Sequence, residues 1–338
     1  MERVKLPLLP GLEVEFTDRD RAIRQVEELA ARGTALPVVI YGPEGCGKSA
    51  LLRQAAAMLR ELGYEVFYLN PLDRAYHADV TTPDVKDAFM QFVERALAEN
   101  AVGRIAWGAI DFVHKALKAG RAKIAVIVDD AFQAIGLQQA AAYVKGLLNL
   151  IEYPPRSYEN VVVLVATSEG LSKREIGRHR WADLTTMWNM PKGGFEELYG
   201  KIPAKPPFED AWRLTGGNPG MLKQLYRLNW DVDKAVEGIM RAKGSLEFAR
   251  SLSKEEREWL AEAVEDPDTL FIRERLPLMH RLVEQNLIMD VYLRQEHLWM
   301  DQPPPERDPE LGIGRDVAWQ TPLHREAVRR ALRDAAST

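Results

Sequence analysis

Residues 42–49 read GPEGCGKS, a run whose residue types suit a chain of phosphates. Gly42, Gly45 and Gly47 permit tight turns, so that successive backbone N–H groups converge on one anion. Lys48 adds a charge that reaches the terminal phosphates, and Ser49 a hydroxyl for Mg²⁺. Pro43, Glu44 and Cys46 complete the loop. Ala50 stands in the first turn of the helix that follows, whose N-terminal dipole favours an anion. Cys46, the single cysteine of the chain, reads either as a small loop filler or as a thiol activated by that helix end.

About eighty residues further on, IAVIVDD ends an apolar run in Asp129 and Asp130. A phosphate loop needs a metal-holding carboxylate on a neighbouring strand, which is the role Asp129 would take. Asp130 is then placed to polarise an attacking water as general base. The bland alternative is two acids that close a strand. VVVLVATS brings Thr167 and Ser168 to the end of another apolar run, where a hydroxyl either touches the terminal phosphate or satisfies the strand end. Beyond it, SKREIGRHRW carries Lys173, Arg174, Arg178, His179 and Arg180. This cluster is a solvated helix face or the source of an arginine finger, Arg178 ahead of Arg180, acting in its own chain or a neighbour. His179 has no second His or Cys at ligand spacing and is not read as a metal ligand. Lys48, Asp130, Thr167 and Arg178 are thus the catalytic candidates, with Ser49 and Asp129 for the metal.

These residues need strands that end where chemistry begins. LPVVIY precedes the loop, YEVFYLN and KIAVIVDD follow, and NVVVLVATS is a fourth strand; all are short apolar runs of the kind buried parallel strands show. Between them lie helical patterns at 18–32, 49–63, 84–100, 105–120 and 138–153. Strands alternating with helices predict an α/β fold with a parallel sheet covered on both faces. RWADLTTMWNM offers one more strand. PAKPP at 203–207 reads as a hinge before a mostly helical stretch to 244, and SKEEREWLAEAV opens the last part with Ser253 and Glu256 spaced as a capping box. Further helices are expected at LPLMHRLVEQN and PLHREAVRRALRDA, with strands at LIMDVYL and DVAWQT and a proline-rich loop between those strands. Helices followed by such a long hairpin suggest a winged helix. Trp230, Trp299 and Trp319 are expected in cores.

The chain has 338 residues, 46% of them hydrophobic, enough for one large domain or two to three ordinary ones. A net charge of −5 gives no global pull toward a polyanion, and a lone cysteine rules out an internal disulfide and fits a reducing compartment. With no long apolar run, the expected location is cytoplasmic, without membrane. A charged fraction of 28% leans weakly toward a thermophile.

Four stretches together resemble the additional-strand phosphate-loop ATPases, specifically the archaeal ATPase family lying between the STAND NTPases and the AAA+ origin-recognition initiators: EFTDRDRAI, GPEGCGKSALL, VIVDDAF and LTGGNPGML. The resemblance implies a P-loop NTPase with strand order 5-1-4-3-2, a helical lid and a C-terminal winged helix. It implies ATP and Mg²⁺ as ligands, the DRD stretch near the adenine, and a lid turn of Gly216, Gly217 and Pro219 approaching the nucleotide. Residues 1–202 would be the ATPase core, 203–250 the lid and 251–338 the winged helix. Two departures bear on rate. Asp130 stands where initiators have Glu, which suits a slow STAND-type switch, and TGGNPG replaces an arginine-bearing turn.

Three uses of ATP remain open: a nucleotide-dependent switch, a DNA-binding initiator or remodeller, and a binding scaffold without meaningful hydrolysis. From residue 251 onward 12 Lys and Arg face 18 Asp and Glu. Phosphate neutralisation dominates DNA affinity, so this acidic balance favours a protein partner or self-association over DNA.

Overall fold

The computed structural model describes residues 2–80, 83–99, 101–118, 123–155, 158–168, 170–203 and 205–336. The chain opens with a hairpin, β1 (Lys5–Leu9) and β2 (Leu12–Glu15), then α1 (Asp20–Arg32), β3 (Val38–Tyr41), α2 (Lys48–Glu61), β4 (Glu65–Asn70) and β5 (Ala75–Asp79). Helices α3 (Pro83–Ala98) and α4 (Val102–Lys118) lead to β6 (Lys123–Asp129), α5 (Ala131–Ile135), α6 (Ala140–Glu152), β7 (Asn160–Thr167), α7 (Gly170–Gly177) and β8 (Asp183–Met187). Next come α8 (Lys192–Gly200), α9 (Phe208–Thr215), α10 (Pro219–Arg227), α11 (Val232–Lys243), α12 (Ser245–Ser251) and α13 (Lys254–Glu265). The chain closes with α14 (Leu276–Glu284), β9 (Ile288–Asp290), β10 (Trp299–Met300), β11 (Val317–Trp319) and α15 (Pro322–Ala336). The expected helix ends at Asn100 and Gly120, and Ala204 of the proline stretch, lie outside the described residues.

Two compact units divide the chain. The first holds Asp20–Tyr41 and Lys48–Thr186 with residues 2–4; the second holds Lys5–Arg19, Gly42–Gly47 and the chain from Met187 onward. In the first, strands are neighbours in the order β8, β3, β7, β6, β4, β5. β5 alone of these runs antiparallel to its neighbour. Every residue of β3 and β4 is buried, as both faces of the sheet carry helices. The apolar stripes of α3, α4 and α6 cover one face, and an edge-to-face series Phe67, Phe89, Phe112 ties β4 to α3 and α4. The edge strand β5, AYHAD, is absent from the sequence expectation because half of its side chains face outward and it lacks a continuous apolar run. What matters for function is register: Tyr41 pairs with Thr167 and Asp129 with Ala166, which brings three strand ends to one level.

In the second unit, β1 and β2 form a hairpin whose Leu9 and Val14 pack with Phe195, Leu198 and Tyr199 of α8. Helix α9 stops at Gly216, left-handed with φ 59°, and α10 starts two residues later with Asn218 as N-cap and Pro219 in its first turn. The Ser253–Glu256 capping box is present at the start of α13. β9 and β11 pair antiparallel, Ile288 opposite Trp319, and the proline-rich segment lies in the connection between β10 and β11. Trp299 and Trp319 are buried, and the indole N–H of Trp319 donates to Ala263 O at 3.1 Å. Among the described residues no helix is long and apolar enough to cross a membrane.

Candidate functional site

Asp129 ends β6 with no solvent exposure, and its two carboxylate oxygens have different company. Oδ1 accepts from the Ser49 hydroxyl at 3.2 Å. Oδ2 accepts from the Tyr68 phenol and from the Asn70 side-chain amide, both at 3.0 Å. Burial pushes the Asp129 carboxyl above its ordinary value, opposed by these three donors and by the nearby charge of Lys48. Lys48, the first residue of α2, is itself 6% exposed. A hydroxyl and a carboxylate are hard oxygen donors, the kind Mg²⁺ accepts from a protein while phosphates and water fill the rest of its shell. Among the described residues there is no group of three or more His, Cys, Asp or Glu able to hold a metal; Ser49 and Asp129 offer this oxygen-donor chemistry 3.2 Å apart.

Residues 42–47 belong to the second unit and are gripped there mainly through their backbone. Glu44 donates its N–H to Gln320 Oε1 at 3.2 Å and accepts at its carbonyl from Asn218 Nδ2 at 2.9 Å. Gly45 O accepts from Gly220 N at 3.0 Å, and Cys46 O from the Arg19 guanidinium at 3.0 Å. Such close approach requires glycine. A Cβ on Gly42 would lie 2.0 Å from Met187 O, and one on Gly45, which has φ 79°, would lie 2.8 Å from Asn218 Oδ1. Cys46 is buried with its thiol 3.8 Å from Met187 O, which suits a packing role. Glu44 extends its carboxylate to Lys243 at 2.9 Å. Gln320 Nε2, buried on the same side chain that holds Glu44, has no partner among the described residues. An unmatched donor beside a glycine loop fits an anionic ligand.

Arg19 is the hub on this side. It is 2% exposed, pairs with Asp301 at 2.7 Å, and also donates to Trp188 O at 2.8 Å. Both partners of that ion pair are left-handed, φ 63° at Arg19 and φ 73° at Asp301, a conformation that costs a non-glycine residue energy.

The register of the sheet also locates the remaining candidates. Thr167 is buried at the end of β7. Asp130 follows Asp129 in a left-handed turn, φ 47°, and donates its N–H to Ala166 O at 3.2 Å. Ala50 lies in the first turn of α2, and Pro219 in that of α10, one residue before the glycine that holds Gly45. The Arg178 side chain is 57% exposed and pairs with Glu175 at 2.9 Å. Beside it, His179 and Trp181 stack face to face at 4.0 Å.

The sequence reading missed Tyr68, Asn70, Arg19, Asn218 and Gln320. Tyr68 and Asn70 carried a signal, since two polar residues at spacing two end an otherwise apolar strand. The others act on backbone atoms distant in sequence and carried none.

A family model described as an ATPase domain predominantly from Archaea matches residues 16–225. No curated protein matches the chain. Among solved structures, AMPPCP-bound DnaA from Aquifex aeolicus is 17% identical, over 74% of this chain and 70% of that one, with a TM-score of 0.38. The Aeropyrum pernix ORC1 protein in complex with DNA is 15% identical over 94% and 93%, TM-score 0.37. The Aeropyrum pernix ORC2 protein is 13% identical over 92% and 94%, TM-score 0.36.

Proposed function

The chain belongs to the family of ATPase domains found predominantly in Archaea, and on that premise we propose that it binds ATP with Mg²⁺ and hydrolyses it slowly to drive a conformational switch. The observation that carries this reading is the 3.2 Å contact between Ser49 and Asp129, which joins the end of the glycine loop to an acidic strand end. The strand neighbours β8, β3, β7, β6, β4 support the additional-strand assignment. The moving parts would be a core of residues 1–202, a lid of 203–250 and a winged helix of 251–338.

In this reading the N–H groups of the loop and Lys48 hold the phosphates, while Ser49 and Asp129 hold the ion. Mg²⁺, when bound, neutralises phosphate charge. Asp130 accepts the proton of the attacking water, and its left-handed backbone is the strain that functional sites retain. Thr167 orients that water or the terminal phosphate. Arg178, exposed and paired with Glu175 in its own chain, would serve the site of a neighbouring protomer.

DNA is the disfavoured alternative for the C-terminal region. On α15, Arg329 and Arg333 pair with Glu326, Arg330 with Asp233, and Arg325 donates to the carbonyls of Pro309 and Glu310. Committed guanidiniums cannot neutralise phosphates without first giving up these partners. A protein partner or self-association fits better.

The test is ATP hydrolysis per protomer across a wide range of protein concentration, with Lys48→Ala as blank. Slow turnover above the blank is expected, with specific activity rising with concentration and falling in Arg178→Ala. A wild-type rate equal to the blank would overturn the hydrolytic reading.

A further inference from the structure

Strand β4 runs parallel to β6 with Tyr68 opposite Ile127 and Leu69 opposite Val128. Side chains alternate along a strand, so Tyr68 and Asn70 project from the same face of β4, beside the end of β6 where Asp129 sits. Each donates to the same oxygen, Oδ2, at 3.0 Å. Neither donor is free to turn away. The Asn70 carbonyl oxygen accepts from Asp73 N at 2.9 Å, which fixes the amide with its nitrogen toward Asp129. Arg53 donates to Asp73 Oδ2 at 3.2 Å, the residue whose N–H holds the Asn70 carbonyl. A carboxylate only accepts, so the proton in the 3.0 Å bond between Tyr68 and Asp129 is the phenol's own.

We propose that Tyr68 and Asn70 are positioning residues for the Mg²⁺ of this site: by occupying Oδ2 they leave Oδ1, the oxygen shared with Ser49, as the one offered to the ion. The proposal rests on the nucleotide reading above and extends it to the residues behind the metal ligand: Tyr68 on Asp129, and Asn70 on Asp129 with Asp73 and Arg53 behind it. Partners that orient a ligating carboxylate commonly govern metal affinity by about 10- to 100-fold when removed. Tyr68→Phe deletes one donor and keeps the ring in its place in the sheet.

Binding of a fluorescent ATP analogue, titrated with Mg²⁺ and repeated in EDTA, separates the possibilities. In Tyr68→Phe the Mg²⁺ concentration for half-maximal enhancement of binding should rise about tenfold, with affinity in EDTA unchanged. Asn70→Ser should shift it in the same direction, and it carries the test if Tyr68→Phe does not fold. An unchanged Mg²⁺ requirement in a variant that binds normally in EDTA overturns the proposal. Equal losses with and without Mg²⁺ also overturn it, because they mark a prop of the fold. If Lys48→Ala binds the analogue as wild type does, the nucleotide reading itself fails, which is a separate result.

Discussion

The two sides of the GPEGCGKS run are held in opposite ways. Asp129 is fixed by Ser49 and by two side chains of the adjacent strand β4, Tyr68 and Asn70, and every bond ends on its carboxylate. Residues 42–47 are fixed by groups reaching their backbone: Asn218, Gly220, Gln320 and Arg19, from three separated stretches. The first arrangement fixes a charge and leaves backbone alone. The second fixes backbone, at the Glu44 N–H and at the carbonyls of Glu44, Gly45 and Cys46. The difference implies that damage near Asp129 should register in metal-dependent function, and damage around the loop in stability.

The largest effect is expected at Asp301→Ala. This leaves Arg19 buried with two carbonyl acceptors and no counter-charge, and breaking a buried pair from one side costs about 3–5 kcal/mol. The urea midpoint should fall accordingly with the slope of the transition kept. A loss below about 1 kcal/mol, the scale of an exposed pair, would mean that the pair does not anchor the loop side.

Next in size is an acid-sensitive term at His324. It is fully buried, with Nδ1 2.8 Å from Thr321 Oγ1, and burial first, then Lys243, push its imidazole down to about 4, with Glu44 opposing. A histidine whose folded pKa is depressed binds its proton more readily when unfolded. Its contribution is therefore complete above its ordinary value near 6.5 and is lost as pH falls toward 4, about 3 kcal/mol in all. His324→Asn should flatten that part of the stability–pH curve. The same slope in the variant would assign the acid sensitivity elsewhere.

The asymmetry also explains how much could be read from sequence. The sheet was legible because a parallel strand buried on both faces writes itself as a continuous apolar run, and β3, β4, β6 and β7 all do so. The Ser49–Asp129 pairing was legible because the two residues begin and end elements that a glycine loop and an apolar strand announce. β5 and the β1–β2 hairpin were not, since each presents an alternating or short pattern that a loop can share. Nor were Gln320 and Asn218: an amide that holds a carbonyl or an N–H carries no requirement on the residue it holds. Arg19 lay inside a stretch whose resemblance suggested the adenine, and its bonds to Asp301, Cys46 O and Trp188 O depend on a pairing across the whole chain.

The smallest expected stability effect has the reverse sign and sharpens the contrast most. Asp129→Asn removes a buried charge from the sheet side while keeping its shape, and should stabilise the protein by about 1 kcal/mol near neutral pH while abolishing Mg²⁺-dependent hydrolysis. The sign follows from the raised carboxyl pKa. A native state that holds the proton more tightly than the unfolded chain loses stability as pH rises from 3.8 through the folded value, so at neutral pH ionised Asp129 is a burden. Lowering the pH toward 3.8 should therefore shrink the gap between wild type and variant, the opposite of the trend at His324. Paired unfolding curves at several pH values decide it. A variant less stable than wild type at neutral pH would mean that Ser49, Tyr68 and Asn70 more than offset the cost of burial, and that the carboxylate is a structural anchor as much as a ligand in waiting.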